Sequence, residues 1–301
     1  MQALRNNHIA HGILLATAAA LLWSGNFIIS RAVSADIGPI SLAFYRWLTA
    51  TIIIAPFAWK KIKKEQSVVI ANKRYLFFVS LTGIALFNTF VYVAGHYTSA
   101  ISMALIGTTS SPIFATILAF IFLKEGVGKY RILGMLICIS GILLLISNGS
   151  LEKLAAFHFS KGDIWILAGA FAFAIYNVLV RKKPTGISAI FFLFVIFGIG
   201  TALLFPFYIG ELILSPSPNW NTTLIGSILY LGLGTSAIAF LCWNIAIQKL
   251  GAGRTVLFGN LIPVFSIIEA VLILGEKMST NHLISGSIVI LGLTIANIKS
   301  K

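Results

Sequence analysis

Residues 111–125 read SPIFATILAFIFLKE, and residues 262–276 read IPVFSIIEAVLILGE. A shift of 151 positions, which lays Pro112 on Pro263, aligns the two stretches without a gap. Other identical pairs in this register include Gly83 and Gly234, Phe114 and Phe265, Ile117 and Ile268, Ala119 and Ala270, Leu123 and Leu274, Glu125 and Glu276, and Gly141 and Gly292. Such self-similarity indicates an internal duplication, so we expect a fold of two related halves.

The composition is too apolar for a water-soluble protein. Hydrophobic residues make up 58% of the chain and charged residues 10%, whereas soluble domains carry about 25% charged residues. The excess apolar surface therefore has to face lipid. The net charge of +14 does not indicate a nucleic-acid partner, because the basic residues form short clusters between apolar runs.

Ten apolar runs are long enough to cross the hydrocarbon, which needs about 20 predominantly apolar residues. The predicted spans are 11–30, 39–59, 73–94, 99–122, 130–147, 162–180, 187–208, 222–246, 254–274 and 281–298. This pattern predicts an all-α polytopic membrane protein with ten transmembrane helices.

The distribution of Lys and Arg between the loops predicts the orientation of the chain. With the N-terminus in the cytoplasm, 17 of the 22 basic residues fall in inside segments and four in outside segments. The remaining one, Arg46, lies within a span. Both termini are therefore expected to be cytoplasmic.

The duplication divides the chain into residues 1–149 and residues 150–301, with five predicted spans in each. Because five is odd, the second half enters the membrane in the opposite orientation. Inverted repeats of this kind place a binding site between the halves and let it open to either side in turn. We predict a transporter with a central cavity between two inverted five-helix repeats. A symmetric scaffold without transport activity is the alternative.

Three features together resemble one family of transporters. They are Trp23-Ser24-Gly25-Asn26-Phe27 in the first span, Phe44-Tyr45-Arg46 in the second, and the duplicated tail quoted above. In their order and in the number of spans they resemble the EamA-like branch of the drug/metabolite transporter superfamily. The resemblance implies a ten-helix fold with a central cavity, in a bacterial inner membrane. It also implies export or exchange of amino acids, related metabolites or drugs, so multidrug efflux is the alternative to metabolite transport.

Two charged residues, Arg46 and Glu269, lie well inside predicted spans. Charges are costly in the bilayer and usually face a cavity or a partner. Arg46 and Glu269 lie roughly 10 and 8 Å below the outer ends of their spans, so the two can meet as a charge pair. We hypothesise that Glu269 exchanges protons during transport. The alternatives are that Arg46 snorkels to the outer headgroups and that Glu269 is a static polar anchor.

Pro112 and Pro263 fall inside predicted spans and are expected to kink them. Each proline leaves one backbone carbonyl without its helical donor, and in lipid that carbonyl needs another partner or a water-filled cavity. Thr108, Ser110 and Asn260 lie just before these prolines and are predicted to line the substrate site. The alternative is that the hydroxyl groups merely bond their own helix.

Aromatic and amide residues complete the predicted substrate site. They are Trp23 and Asn26 in the first span, Tyr92 in the third, Tyr176 and Asn177 in the sixth, and Trp243 in the eighth. Aromatic walls with a few polar groups suit a small amphipathic ligand. Packing, or anchoring at the membrane interface, is the alternative for each aromatic side chain.

Other classes of function fit the sequence less well. An intramembrane enzyme would need paired carboxylates, a Ser–His arrangement or clustered metal ligands within the spans, so we expect no catalytic residue, metal site or cofactor. The sequence has no phosphate-binding loop of the kind that ATP-driven transport requires. A channel more often forms its pore between subunits. The expected partners are a small-molecule substrate and the lipid bilayer; the oligomeric state stays open, and a monomer is compatible with the sequence.

Overall fold

The computed structural model describes residues 2–124, 127–147, 150, 160–180, 182–250, 258–259 and 261–296. Within these residues every regular element is helical and no strand occurs. The helices are α1 (Gln2–Ala32), α2 (Pro39–Trp59), α3 (Ile62–Ala71), α4 (Lys73–Ser80), α5 (Phe87–Gly95), α6 (Ala100–Leu123), α7 (Lys129–Ile146), α8 (Lys161–Val180), α9 (Ala189–Leu214), α10 (Thr222–Leu229), α11 (Ala239–Leu250), α12 (Leu261–Leu274) and α13 (Thr280–Ala296). Two π-helical segments, Leu81–Leu86 and Tyr230–Ile238, join α4 to α5 and α10 to α11.

Seven helical stretches are long and apolar enough to cross a membrane. They are Ile9–Ala32, Pro39–Trp59, Lys73–Gly95, Ala100–Phe122, Lys161–Val180, Ala189–Leu214 and Thr222–Trp243. The predicted spans 130–147, 254–274 and 281–298 fall on the shorter helices α7, α12 and α13. Residues 254–257 lie outside the described residues. A total of ten transmembrane helices therefore remains a prediction.

The short helix α3 was not predicted, because it has no run of apolar residues long enough to form a span. None of its residues is buried, and Lys63 and Lys64 lie in its first turn with Glu65. The Glu65 carboxylate reaches Ser188 at the start of α9. The helix α3 thus holds a carboxylate of residues 1–149 against residues 150–301.

The two π-helical segments occupy equivalent places in the duplicated sequence. Gly83 lies in the first segment, and Gly234, its counterpart in the 151-residue register, lies in the second. A side chain at Gly83 would overlap the ring of Tyr176, so this glycine lets α8 approach closely. Such π turns are frequent at functional sites. The apolar pattern did not reveal them, because one wider turn leaves the run of apolar residues unbroken.

The helices α7 and α13 pack with their backbones close together. The Sγ atom of Cys138 in α7 donates a hydrogen bond to the carbonyl of Val289 in α13 at 3.5 Å. A Cβ atom on Gly292 would lie 2.6 Å from Cys138 Sγ, and one on Gly141 would lie 2.9 Å from Val289. Cys138 corresponds to Val289, and Gly141 to Gly292, in the 151-residue register. The contact is therefore reciprocal, as a two-fold relation between the helices requires.

We expect Gly292→Ala to destabilise the protein by roughly 1–3 kcal/mol, because the added methyl group would have to push α7 and α13 apart. Gly226→Ala in α10 is the matched control, since nothing lies within 4 Å of a Cβ atom there. This control is expected to leave the stability unchanged or to raise it by up to about 1 kcal/mol. Thermal unfolding of the purified protein in detergent measures both variants, and equal melting temperatures would contradict the close approach.

Candidate functional site

Arg46 in α2 lies at the centre of a buried polar network and is only 4% exposed. Its Nη1 atom donates to Asn26 Oδ1 in α1 at 2.5 Å, and to Asn88 Oδ1 in α5 at 2.8 Å. The same atom contacts the Tyr92 hydroxyl at 2.8 Å, and Nε donates to Ser236 Oγ at 3.2 Å. The Tyr92 hydroxyl donates in turn to Asn26 Oδ1 at 3.1 Å. Four helical elements thus converge on one guanidinium group.

Every hydrogen-bond partner of Arg46 in the described part of the chain is uncharged, and none of these bonds uses Nη2. The guanidinium carbon lies 4.7 Å from the ring centre of Trp47, an additional neutral contact. The alternative that Arg46 snorkels to the headgroups is wrong, because its side chain is enclosed by helices. A buried charge without a counter-charge is costly, so this site favours an anionic ligand.

Glu269 in α12 bonds to a different part of α1. Its Oε1 atom accepts a hydrogen bond from Ser24 Oγ at 2.8 Å, whereas its Oε2 atom is buried without a hydrogen-bond partner in the described residues. Ser266, one turn earlier in α12, donates to the carbonyl of Ser24 at 3.4 Å. The Glu269 carboxylate therefore has one polar contact and one unpaired oxygen.

Arg46 and Glu269 do not form the charge pair that the similar depths suggested. Arg46 contacts Asn26 and Glu269 contacts Ser24, and side chains two positions apart on a helix point to opposite sides. The two charged side chains therefore lie against different faces of α1. The Tyr230 hydroxyl donates to the carbonyl of Leu22 at 2.9 Å, in the same part of α1.

An aromatic cluster lies beside the Arg46 network. Trp23 is three positions before Asn26, so the two side chains share a face of α1. The Trp23 indole donates to the carbonyl of Thr235 at 3.0 Å. Its ring centre lies 5.0 Å from that of Trp243 and 5.6 Å from that of Phe240. The structure thus brings the predicted residues Trp23, Asn26, Tyr92 and Trp243 to neighbouring positions on α1, α5 and α11.

In the described part of the chain, no hydrogen bond joins Tyr176 or Asn177 of α8 to the Arg46 network. The ring of Tyr176 stacks on that of Phe173 at 5.5 Å and packs against Gly83. The Asn177 side chain donates to the carbonyl of Phe173 at 2.9 Å, which satisfies it within its own helix. Their assignment to the substrate site remains a prediction.

Of the polar residues before the prolines, Thr108 bonds its own helix, as the alternative proposed. The Thr108 hydroxyl donates to the carbonyl of Ala104 at 2.6 Å, within α6. Ser110 is buried in the same helix, next to Thr109, whose hydroxyl has no partner among the described residues. Asn260 lies outside the described residues, so its predicted role is neither supported nor contradicted.

The structure describes the surroundings of the two prolines to different extents. Pro112 lies in the middle of α6, as predicted. Pro263 lies close to Leu261, where the described part of α12 begins, and residue 260 lies outside the described residues. The kink at Pro263 therefore remains a prediction.

A polar cavity of about 190 Å³ lies elsewhere, at one end of α6, α8 and α13. It is lined by Thr98, Ser102, Ile106, Leu145, Ser160, Asp163 and His282. Asp163 and Ser160 cap α8 through two local hydrogen bonds of 3.1 Å. Because this lining includes neither Arg46 nor Glu269, the predicted central cavity remains a prediction.

Long apolar helices with polar networks between them are typical of a multi-pass membrane protein. Residues 10–147 and 160–298 match the EamA-like transporter family. The chain belongs to this family, within the drug/metabolite transporter superfamily. The resemblance seen in the sequence is thereby confirmed.

Relatives of the chain come from bacteria, archaea and plants. The chain is 31% identical to the uncharacterized transporter YyaM of Bacillus subtilis (strain 168), over 86% of this chain and 84% of that protein. It is 27% identical to an uncharacterized transporter of Archaeoglobus fulgidus, over 95% and 97%. It is 26% identical to the WAT1-related protein At4g30420 of Arabidopsis thaliana, over 92% and 82%. A solved crystal structure shares the fold with a TM-score of 0.62 at 17% identity, over 95% of this chain and 96% of that one.

Sequence reasoning missed Ser24, Asn88, Tyr230 and Ser236 as members of the polar networks. Asn88 carries a signal, because an amide inside a predicted span needs a buried partner. Ser24 and Ser236 carry none, since serine hydroxyls in membrane helices often bond their own backbone. Only the packing of helices distant in sequence assigns them partners.

Proposed function

We propose that the chain is a secondary carrier that exports or exchanges small organic metabolites, amino acids among them, by alternating access. One observation carries the proposal: Arg46 and Glu269, both within apolar helices, have neutral partners on different faces of α1. Because unpaired charges are costly in a membrane protein, they are typical of sites where a ligand or a proton neutralises them.

The Arg46 side of α1 suits the carboxylate of a substrate. Nη2 makes no hydrogen bond in the described part of the chain, which leaves part of the guanidinium fork for a ligand. Trp23 and Trp243 provide aromatic faces on the same side, and such faces attract both apolar groups and ammonium groups. An amino acid offers all of these groups in one small molecule.

The Glu269 side of α1 suits proton coupling. A buried carboxylate oxygen without a partner is satisfied when it takes up a proton and is costly when it stays ionised. Ser24 holds the other oxygen, so the carboxyl group keeps its position in both protonation states. A carrier of this design exchanges protons for substrate across the membrane.

Two inverted halves of five spans each, with both termini in the cytoplasm, provide the frame for alternating access. The 151-residue register, the two matched family segments and the equivalent π-helical segments support this arrangement. The reciprocal packing of α7 against α13 supports it too. The excess of basic residues in the predicted inside segments supports the orientation in a cell membrane, which we take to be a bacterial inner membrane.

Counterflow into proteoliposomes tests the proposed function. We expect saturable uptake of at least one labelled amino acid from a panel of amino acids, stimulated by the same unlabelled compound inside the vesicles and sensitive to a pH gradient. Saturable counterflow distinguishes a carrier from a channel. Uptake of cationic drugs with no counterflow of any amino acid would contradict the proposed substrate class and favour multidrug efflux.

A further inference from the structure

Carboxylates from residues 150–301 cap two helices of residues 1–149. The Glu211 carboxylate in α9 accepts hydrogen bonds from the backbone amides of Ile40 at 3.2 Å and Ser41 at 2.6 Å, in the first turn of α2. The Glu276 carboxylate, just after α12, accepts from the amides of Ala100 at 2.8 Å and Ile101 at 3.3 Å, in the first turn of α6. First-turn amides have no helical acceptor and lie at the positive end of the helix dipole, so a carboxylate satisfies both needs.

One carboxylate of residues 1–149 in turn caps a helix of residues 150–301. Glu65 in α3 accepts hydrogen bonds from the amide of Ser188 at 2.8 Å and from its hydroxyl at 3.0 Å, at the start of α9. The helix α2 is therefore capped by α9, and α9 is capped by the helix that follows α2. Glu125, the counterpart of Glu276 in the 151-residue register, lies outside the described residues.

The three caps all lie at helix N-termini, but not all on the same side of the predicted membrane. In the predicted orientation, the Glu211 and Glu276 caps are on the outer side, and the Glu65 cap is on the cytoplasmic side. Asp163 differs from them, because it caps its own helix together with Ser160. A helix of this chain can therefore be capped at its first turn by a carboxylate from its own half.

The fit around Glu211 is tight. A Cβ atom on Gly38 would overlap its carboxylate group. Gly38 has no side chain to cap α2, and Pro39 has no amide hydrogen to offer. The first-turn amides of α2 therefore take their acceptor from the other half of the chain.

Acidic residues are scarce in this protein, eight in all. Of the six in the described part of the chain, Asp36, Glu65, Glu211, Glu269 and Glu276 each contact the other half. Water can replace a carboxylate–amide contact at a helix end when the two halves separate, since both groups are then solvated. Contacts of this kind can open and close repeatedly, which interdigitated apolar packing does not permit as readily.

We infer that Glu211 and Glu276 are latches that hold the outer side closed, and that Glu65 is the latch on the cytoplasmic side. The inference rests on the proposed alternating access between two inverted halves. Opening to one side requires release of the latches on that side and leaves those on the other side closed. Weakening the latches on one side therefore raises the population of conformations that are open to that side.

The test measures accessibility and needs no substrate. Thr109→Cys is the reporter, in a background with Cys138→Ala and Cys242→Ala; Thr109 is fully buried in α6, which packs against α8 and α12 of the other half. The rate at which a membrane-impermeant maleimide modifies the reporter is measured from the outside in sealed vesicles and from the inside in inverted ones. Glu211→Gln with Glu276→Gln should raise outside labelling by about three- to tenfold and lower inside labelling, and Glu65→Gln should do the opposite.

Opposite shifts are the decisive result, because simple helix caps would lower the melting temperature without a preference for one side. Asp163→Asn, which weakens a cap within one helix, is the matched control and should leave the ratio of outside to inside labelling unchanged. Gly38→Ala displaces Glu211 without any change of charge and should raise outside labelling; it also serves if the double variant fails to fold. Shifts of equal sign for both sets, or unchanged ratios, would overturn the latches, whereas the absence of amino-acid counterflow would bear only on the substrate.

Discussion

Arg46→Ala is expected to abolish transport, with a loss of about a hundredfold or more in the counterflow rate. The variant removes the one charged residue seen in this network within the described part of the chain, and it leaves the amide oxygens of Asn26 and Asn88 without this donor. The Asn26 oxygen keeps the Tyr92 hydroxyl as a donor, whereas the Asn88 oxygen loses the only donor seen in the described residues. A buried acceptor left unsatisfied costs about 1–3 kcal/mol, so the free energy of unfolding should fall by about this amount. Thermal unfolding and counterflow, measured well below the melting temperature, separate the loss of stability from the loss of transport.

Two further variants make the result specific. Arg46→Lys keeps the charge but replaces a planar fork by a single ammonium group, so we expect an intermediate loss of transport. Arg31→Ala removes an exposed arginine of α1 that donates to the carbonyl of Gly95 at 3.1 Å. This variant should lower the free energy of unfolding by less than about 1 kcal/mol and leave transport intact. Wild-type transport by Arg46→Ala would show that the buried guanidinium has no part in substrate binding.

Glu269→Gln is expected to abolish the pH dependence of transport. Glutamine has nearly the same shape and can keep the contact with Ser24, but it cannot exchange a proton. Initial rates of counterflow should therefore become independent of pH, and a pH gradient should no longer drive uptake. Exchange of substrate for substrate should continue in this variant, because it does not require net movement of protons.

The matched control for Glu269→Gln is Ser24→Ala, which keeps the carboxyl group and removes its observed hydrogen bond. This control should retain a pH response. An unchanged pH response in Glu269→Gln would leave Glu269 as a polar anchor between α12 and α1. In that case the proton, if one is coupled, would have to bind elsewhere, and the Arg46 side of the site would be unaffected.

Much of the fold is encoded locally and could be predicted from the sequence. Apolar runs of about 20 residues predict where helices cross the bilayer, because the partitioning of each run into lipid depends on its own residues. The duplication predicted Gly83 and Gly234 as equivalents, and both lie in π-helical segments of the structure. Arg46 and Glu269 stood out for the same local reason, since a charge within an apolar run is rare and costly.

The partners of those charges could not be predicted, because they depend on how each helix is rotated and which helices are neighbours. Depth alone suggested a pair between Arg46 and Glu269, but the rotation of α1 places Asn26 against one and Ser24 against the other. The contacts of Glu211 and Glu276 with first-turn amides likewise join residues more than 150 positions apart. The sequence by itself determined the apolar helices, the 151-residue register between its two parts and the two charges within apolar runs. Only the tertiary structure decided what those charges and the helix ends contact, because hydrogen bonds between distant residues form only after the helices have packed.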